Sequence, residues 1–306
     1  MKVAIAFVLV VAIWSTTPLA IQWSGMDIGP LLGLLLRMAS SFVLCALLMI
    51  LLRLPFVRDK QAIYSYIVAG FGLSLAMAFV YLAAQRIPSG LIAVVFGLTP
   101  MMTGVFAYWW LQEKITYTMI GGMILGLVGL YIIFMPGKAL SSVDQWGVGL
   151  IFMSTLLHSV SLVLMKKFSS HLNPLNSSTG GLLFALPVYV FLWVAMEGQI
   201  PQTIPMRPLL SILYLSVIGS VVGFSLFYFL LKNISAGKVS LITIFTPVIA
   251  LWIGKNFNAE IIETKIMVGC NCILAGLILY QWGDLFFKKF RPGVNTENKA
   301  DNNLPI

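Results

Sequence analysis

The sequence predicts an all-α polytopic membrane protein: ten transmembrane helices in two inverted five-helix repeats, with both termini cytoplasmic. Three observations carry this prediction: the composition, an ungapped internal duplication, and the distribution of Lys and Arg along the chain. Of the 306 residues, 59% are apolar and 9% charged, against about a quarter charged in an ordinary soluble domain. Mean hydropathy is +0.97, so a water-soluble fold would have too little polar surface. Apolar runs recur near the roughly 20 residues that cross about 30 Å of hydrocarbon. Backbone groups in lipid must bond within their own segment, and strand-like alternation is absent, so the spans are helices.

The duplication relates residues 86–133 to 233–280 at a constant offset of 147. Ile87, Gly90, Thr99-Pro100 and Glu113 meet Ile234, Gly237, Thr246-Pro247 and Glu260. Ile115, Gly122, Gly129 and Leu130 then meet Ile262, Gly269, Gly276 and Leu277, and upstream Gly72 and Tyr81 meet Gly219 and Tyr228. A proline, an acid and several glycines in one register mark an internal repeat. Each copy is a helical hairpin: an apolar segment with a central Thr-Pro, a turn at an acid, and a glycine-spaced apolar segment.

Taken in order, the expected spans are 3–22, 28–52, 62–84, 89–111, 117–135, 146–165, 177–196, 209–230, 236–254 and 263–282. Met1-Lys2 and the apolar run to Ile21 read as a first span, because no small-residue cleavage motif ends the run. Gly29-Pro30, Pro136-Gly137 and the stretch from Pro201 to Pro208 break the chain between spans. Residues 3–135 form the first unit, 146–282 the second, and 283–306 a polar cytoplasmic tail expected to be disordered.

Lys and Arg set the orientation. With the N-terminus inside, thirteen fall on the cytoplasmic side, five outside (Arg86, Lys138, Arg207, Lys255 and Lys265), and Arg37 lies within a span. The net charge of +9 is therefore a membrane-orientation signal and not a nucleic-acid footprint. Five spans per copy is odd, so the halves enter the membrane in opposite directions. Such inverted repeats build alternating-access transporters around a midplane site.

These residues resemble the EamA-type members of the drug/metabolite transporter superfamily over about residues 3–282. The matching features are Trp14-Ser15-Thr16-Thr17-Pro18, Arg37, and the pattern from Ile87-Pro88-Ser89-Gly90 through Thr99-Pro100 to Glu113-Lys114. Ser235-Ala236-Gly237, Thr246-Pro247 and Glu260 repeat that pattern in the second copy. The resemblance implies a central cavity surrounded by spans 1–4 and 6–9, with spans 5 and 10 peripheral. It also implies export of amino acids, their derivatives, other small metabolites or drugs.

Each candidate residue has two readings. Pro100 and Pro247 free the carbonyls of Phe96 and Thr243. They are hinge candidates, and Thr99, Thr243 and Thr246 then face the substrate, or the prolines bend helices whose threonines serve their own backbone. Arg37 is costly inside a span and marks a pathway or an internal pair; it also sits in the outer half, where it can snorkel. His158 titrates during transport or packs as a neutral ring. Glu113 and Glu260 are gate candidates or solvated helix ends. Trp14, Tyr81 and Tyr228 line the cavity or pack in the bundle, while Tyr108-Trp109-Trp110 read as an interface belt. Gly122, Gly126 and Gly129, with Gly269 and Gly276, permit close helix approach, within the protomer or in a weak homodimer.

Cys45, Cys270 and Cys272 lie in apolar spans with no metal-ligand spacing. No cofactor, metal or catalytic residue is expected. A membrane-embedded enzyme would need a nucleophile and base or a ligand set within reach, and H-E-x-x-H and G-x-S-x-G are absent from the sequence. The expectation is a secondary transporter of the bacterial inner membrane that exports small metabolites such as amino acids; the alternative is a drug effluxer. Its partners are the small-molecule substrate and the bilayer. No Asp or Glu lies at mid-span, which weakens proton carriage by a buried carboxylate and leaves a substrate gradient or exchange at least equal to it.

Overall fold

Helix boundaries follow the breakers and caps in the sequence. A computed structural model describes residues 2–135, 144–168, 172–234, 236–239 and 241–290, and among them there is no strand. The helices are α1 (Lys2–Ser24), α2 (Pro30–Leu51), α3 (Lys60–Ala84), α4a (Ser89–Phe96), α4b (Thr99–Leu111) and α5 (Tyr117–Phe134). After them come α6 (Gln145–Phe168), α7 (Pro174–Met196), α8 (Met206–Asn233, in three segments), α9a (Ala236–Val239), α9b (Ile242–Phe257) and α10 (Thr264–Phe290).

Asp59, Thr116 and Asn173 cap α3, α5 and α7 by accepting from the N–H groups of Ala62, Met119 and Leu175, which satisfies donors a helix start leaves open. Pro30 and Pro174 occupy first-turn positions, where a missing N–H costs nothing. Nine spans among the described residues are long and apolar enough to cross a membrane, and α9b is a shorter apolar helix. Along α5, Ile120, Ile124, Leu127 and Tyr131 are exposed at helical spacing, the arrangement of a lipid-facing stripe. The chain is a multi-pass, all-helical membrane protein. The tail beyond residue 290 lies outside the described residues.

Four spans depart from regular α-helix. In α3, Ala69–Leu73 is a π segment, and in α8 the π segment is Leu215–Val222. Shifting the first by 147 residues lands inside the second. Neighbouring helices press on both: Phe184 of α7 and Ser161 of α6 crowd Gly70 and Gly72, while Ser40 and Ser41 of α2 bond to Ser216 and Ser220 at 2.6 and 3.4 Å. Widened turns of this kind recur at functional sites.

Span 4 breaks at Gly97-Leu98, just before Pro100. The Phe96 carbonyl, which Pro100 cannot serve, accepts the Thr99 hydroxyl at 2.6 Å. In span 9 a turn at Leu241 precedes α9b, and α9b runs through Pro247 without interruption. The two Thr-Pro pairs are therefore not structural equals, although they align in sequence.

Helices α5 and α10 lie against each other along their glycines. A Cβ on Gly122 would sit 2.6 Å from the Gly276 carbonyl oxygen, and one on Gly129 would sit 2.5 Å from that of Gly269. This glycine face is used within the protomer. The main core gathers side chains from α2, α3, α4a, α6, α7 and α10, with Tyr81, Leu34, Leu91 and Leu98 fully enclosed.

At one end of the bundle, here the first rim, the two halves of the chain are tied together. Asn258 Nδ2 donates to Gln22 Oε1 at 3.1 Å, and Asn258 Oδ1 accepts from Trp23 Nε1 at 3.0 Å. Gln85 Nε2 donates to the Gln22 carbonyl at 3.2 Å.

Candidate functional site

The polar centre of the bundle forms on α2, where regular helix carries Arg37 inward. Arg37 is 7% exposed, enclosed by the surrounding helices. Its Nη1 donates to the Tyr81 hydroxyl of α3 at 3.4 Å, and its Nε has no partner. Tyr189 of α7 lies beside Arg37 and Tyr81 and bonds Ser74 of α3. Ser74 in turn donates to the Gly70 carbonyl in the π segment. From the other half, Ser216 donates to the Arg37 carbonyl at 3.3 Å.

A guanidinium offers five N–H donors. A buried charge left without a counter-ion costs several kcal/mol. The Arg86–Asp144 ion pair, at 2.6 Å, lies near the end of α3 and is remote in sequence from Arg37. Among the described residues the Arg37 guanidinium thus has one hydrogen-bond partner, the phenolic oxygen of Tyr81. Such a group stabilises an anion arriving from elsewhere.

The other candidates fall in three further neighbourhoods. Between α4 and α6, the His158 ring packs on Phe96 with centroids 4.9 Å apart, and its Nδ1 is buried without a partner. Ser159 Oγ donates to the Thr99 carbonyl at 3.3 Å, and nearby in α4b the Thr103 hydroxyl is buried without a partner. Between α9b and α10, Gln281 Nε2 donates to Thr243 Oγ1 at 2.9 Å, while Thr246 Oγ1 and Gln281 Oε1 are buried and unpartnered. Trp14 of α1 packs on Phe227 of α8 with centroids 4.8 Å apart. The side chain of Tyr228 lies outside the described residues.

Glu260 leaves α9b through a specific turn. Its N–H bonds the Gly254 carbonyl, six residues back, at 3.2 Å, and the preceding Ala259 is left-handed at φ 49°. Glu113 leaves α4b in the same way, bonding Ala107 at 3.3 Å after Gln112 at φ 55°. Both helices thus end on a left-handed residue with a bond one residue wider than the Schellman pattern, and the positions in the two copies are again 147 apart. The turn carries the Glu260 carboxylate to the start of α4a, where it accepts from the N–H groups of Ser89 at 3.0 Å and Gly90 at 3.4 Å. Asn258 Nδ2 donates to the same carboxylate at 3.1 Å. A negative charge on a helix N-terminus is favourable on both hydrogen-bond and dipole grounds.

Glu197 does the same for α2, accepting from the N–H groups of Leu31 at 2.9 Å and Leu32 at 3.1 Å. Sequence reasoning did not single out Glu197, Asn258, Tyr189 or Gln281. The signal for Glu197 was its place at a span end, as for Glu260; Gln281 stood out only as a polar residue late in an apolar run.

Comparison with known proteins gives a consistent picture. The family described as the EamA-like transporter family matches residues 1–135 and 145–282. An "Uncharacterized transporter" of Archaeoglobus fulgidus is 26% identical over 280 residues, covering 91% of this chain and 98% of that protein. The Bacillus subtilis protein named "Uncharacterized transporter YoaV" is 25% identical, covering 91% and 96%. The "S-adenosylmethionine/S-adenosylhomocysteine transporter" of Chlamydia muridarum is 26% identical, covering 92% and 90%. A solved crystal structure shares the fold with a TM-score of 0.64 at 16% identity, covering 94% of this chain and 98% of its own.

Proposed function

The chain belongs to the EamA-like transporter family, and from that premise we propose that it is a secondary transporter that exports small metabolites across the bacterial inner membrane. Amino acids or their derivatives are the substrates the site suits best. The observation that carries this is Arg37, a buried cation with an unpartnered Nε and, among the described residues, no carboxylate paired with it. A substrate carboxylate supplies the missing anion and makes charge-assisted bonds in low dielectric. S-adenosylmethionine and S-adenosylhomocysteine, named for the Chlamydia muridarum relative, are themselves amino-acid derivatives with such a carboxylate.

In this reading ten helices cross the bilayer as two inverted five-helix repeats with cytoplasmic termini, and residues 3–135 rock against 146–282. The shared 147-residue spacing supports it, since it relates the π segments, the left-handed Gln112 and Ala259, and the turns at Glu113 and Glu260. Interrupted spans 4 and 9 are the discontinuous helices that such sites use. Arg86, Arg207, Lys255 and Lys265 lie near the first rim, which makes it the outer one under the positive-inside rule. Glu260 on the start of α4a is then an outer latch between the halves, and Glu113 is its counterpart at the inner rim.

The test compares metabolites in the medium of cells expressing the intact chain and an Arg37→Ala variant at equal membrane level. An amino acid or derivative that accumulates outside only with the intact chain supports export and names the substrate class. An unchanged medium removes the export reading.

A further inference from the structure

Three helices separate at the first rim and leave a crevice of about 580 Å³ between them. Leu19, Ala20 and Trp23 of α1 form its back wall, and Leu210 of α8 and Trp252 of α9b are among the residues at its sides. Its floor is a closed polar pair, the hydroxyls of Thr16 and Tyr214 at 2.6 Å. Its mouth carries one cation, Arg207. From Arg207 to Tyr214 the helix rises about 10 Å, so the crevice reaches well below the interface.

The mouth is built, not incidental. The Arg207 guanidinium lies 4.1 Å from the centroid of the Trp23 ring. That ring is fixed by its Nε1–H bond to Asn258, whose amide also bonds Gln22 and Glu260. The cation–π contact holds the guanidinium over the ring, and among the described residues no carboxylate is paired with it. At the side, Trp252 is 60% and Phe257 62% exposed, so the wall is open laterally where a membrane protein meets lipid. A cation at headgroup depth above an apolar slot of this size matches a single amphiphile with an anionic head.

We propose that this crevice is a binding site for one phospholipid of the leaflet that meets the first rim. An acyl chain lies along Leu19, Leu210 and Trp252, and the lipid phosphate lies on Arg207. The site is separate from the Arg37 centre, and the proposal does not depend on what the protein transports. Occupancy fills the gap between α1, α8 and α9b and braces the Trp23–Asn258–Glu260 chain of bonds.

The experiment uses the full chain, purified and delipidated in detergent, with native mass spectrometry and thermal unfolding as readouts. The probes are phosphatidylglycerol, diacylglycerol without a phosphate, and inorganic phosphate. One phosphatidylglycerol should be retained per chain and raise the Tm, with at least tenfold weaker retention of diacylglycerol. Arg207→Gln should abolish that preference. Leu210→Trp, which fills the slot from an exposed position, should lose phosphatidylglycerol while leaving the lipid-free Tm unchanged. Equal binding of phosphatidylglycerol and diacylglycerol, or unaltered phosphatidylglycerol binding by Arg207→Gln, overturns the proposal. So does a Tm rise produced equally by inorganic phosphate, which would make the site one for a free anion.

Discussion

Glu260 sits on the helix start at Ser89: its carboxylate accepts the Ser89 N–H at 3.0 Å and the Gly90 N–H at 3.4 Å, across the boundary between the halves of the chain. Charge-assisted bonds of this kind contribute roughly 1.5–3 kcal/mol each. Glu260→Gln keeps one carbonyl acceptor but removes the charge and the second acceptor. The expected result is a looser rim. A cysteine placed at Ala93, now buried in α4a, should react with an impermeant thiol reagent about tenfold faster in the Glu260→Gln background. Equal labelling rates in both backgrounds would mean that the cap is ornament to a rim held by packing.

Arg37 and Tyr81 separate a charge role from a packing role. Arg37→Gln removes the buried cation; Tyr81→Phe removes only a 3.4 Å bond to it. Transport measured at equal membrane level should fall more than tenfold for Arg37→Gln and only a few-fold for Tyr81→Phe. Thermal unfolding should move little for Arg37→Gln, because an uncompensated buried charge stabilises a fold poorly. A large drop in Tm with unchanged flux per folded molecule would assign Arg37 to the scaffold.

Much of this architecture was legible in the chain. Length and apolarity located the spans, and the register of Thr-Pro, acid and glycines gave the 147-residue relation that the π segments and left-handed residues also obey. Side-chain partners were not legible, because they depend on which faces of distant helices meet. Arg37 stands out in the sequence as a charge inside a span, open to a pathway, a structural or a snorkelling reading, while Tyr189 and Ser74 beside it read as ordinary span residues. Pro247 aligns with Pro100, yet α9b runs through it, since a proline fixes only its own φ and one lost bond and packing decides where the helix opens. Glu260 had two readings at the sequence level; the left-handed turn at Ala259 is what aims it across the rim.

The glycine contact between α5 and α10 sets a steric prediction. Gly122 and Gly276 approach so closely that a Cβ on Gly122 would stand 2.6 Å from a backbone oxygen, and backbone cannot step aside as a side-chain tip can. Gly122→Leu should lower stability by about 1–3 kcal/mol, the range for overpacking. Gly121→Leu, where the nearest atom is a Leu279 methyl at 3.4 Å, should be tolerated. Thermal unfolding of the two variants side by side decides it.

Acidity should leave the Arg86–Asp144 bridge intact over the working range. The hydrogen bond from Arg86 is the main cause that holds the Asp144 carboxyl below its ordinary value, with the Trp146 N–H assisting. A carboxyl lowered on folding contributes stability above its unfolded pKa of about 3.9 and loses it as pH falls through the lower folded value. The Tm difference between the wild type and Asp144→Asn should therefore be constant from pH 5 to 8 and vanish only in stronger acid. A difference that changes between pH 6 and 7 would point to another titrating group.

Thr99 and Thr246 occupy matching positions before a proline but carry different burdens. Thr99 Oγ1 bonds the Phe96 carbonyl at 2.6 Å, satisfying an acceptor that Pro100 leaves open at the break in span 4. Removing that hydroxyl strands a carbonyl, so Thr99→Val should cost about 1–3 kcal/mol. Thr246 Oγ1 is buried with no partner, so Thr246→Val removes an unsatisfied group and should hold or raise stability. A hydroxyl kept at such a position despite its cost is available to a passing substrate. The expected pattern is a double dissociation: Thr99→Val loses Tm and keeps flux per folded molecule, while Thr246→Val keeps Tm and loses flux several-fold. If both variants lose Tm alone, the second Thr-Pro is as structural as the first, and substrate contacts must come from Arg37, His158 or Gln281 instead.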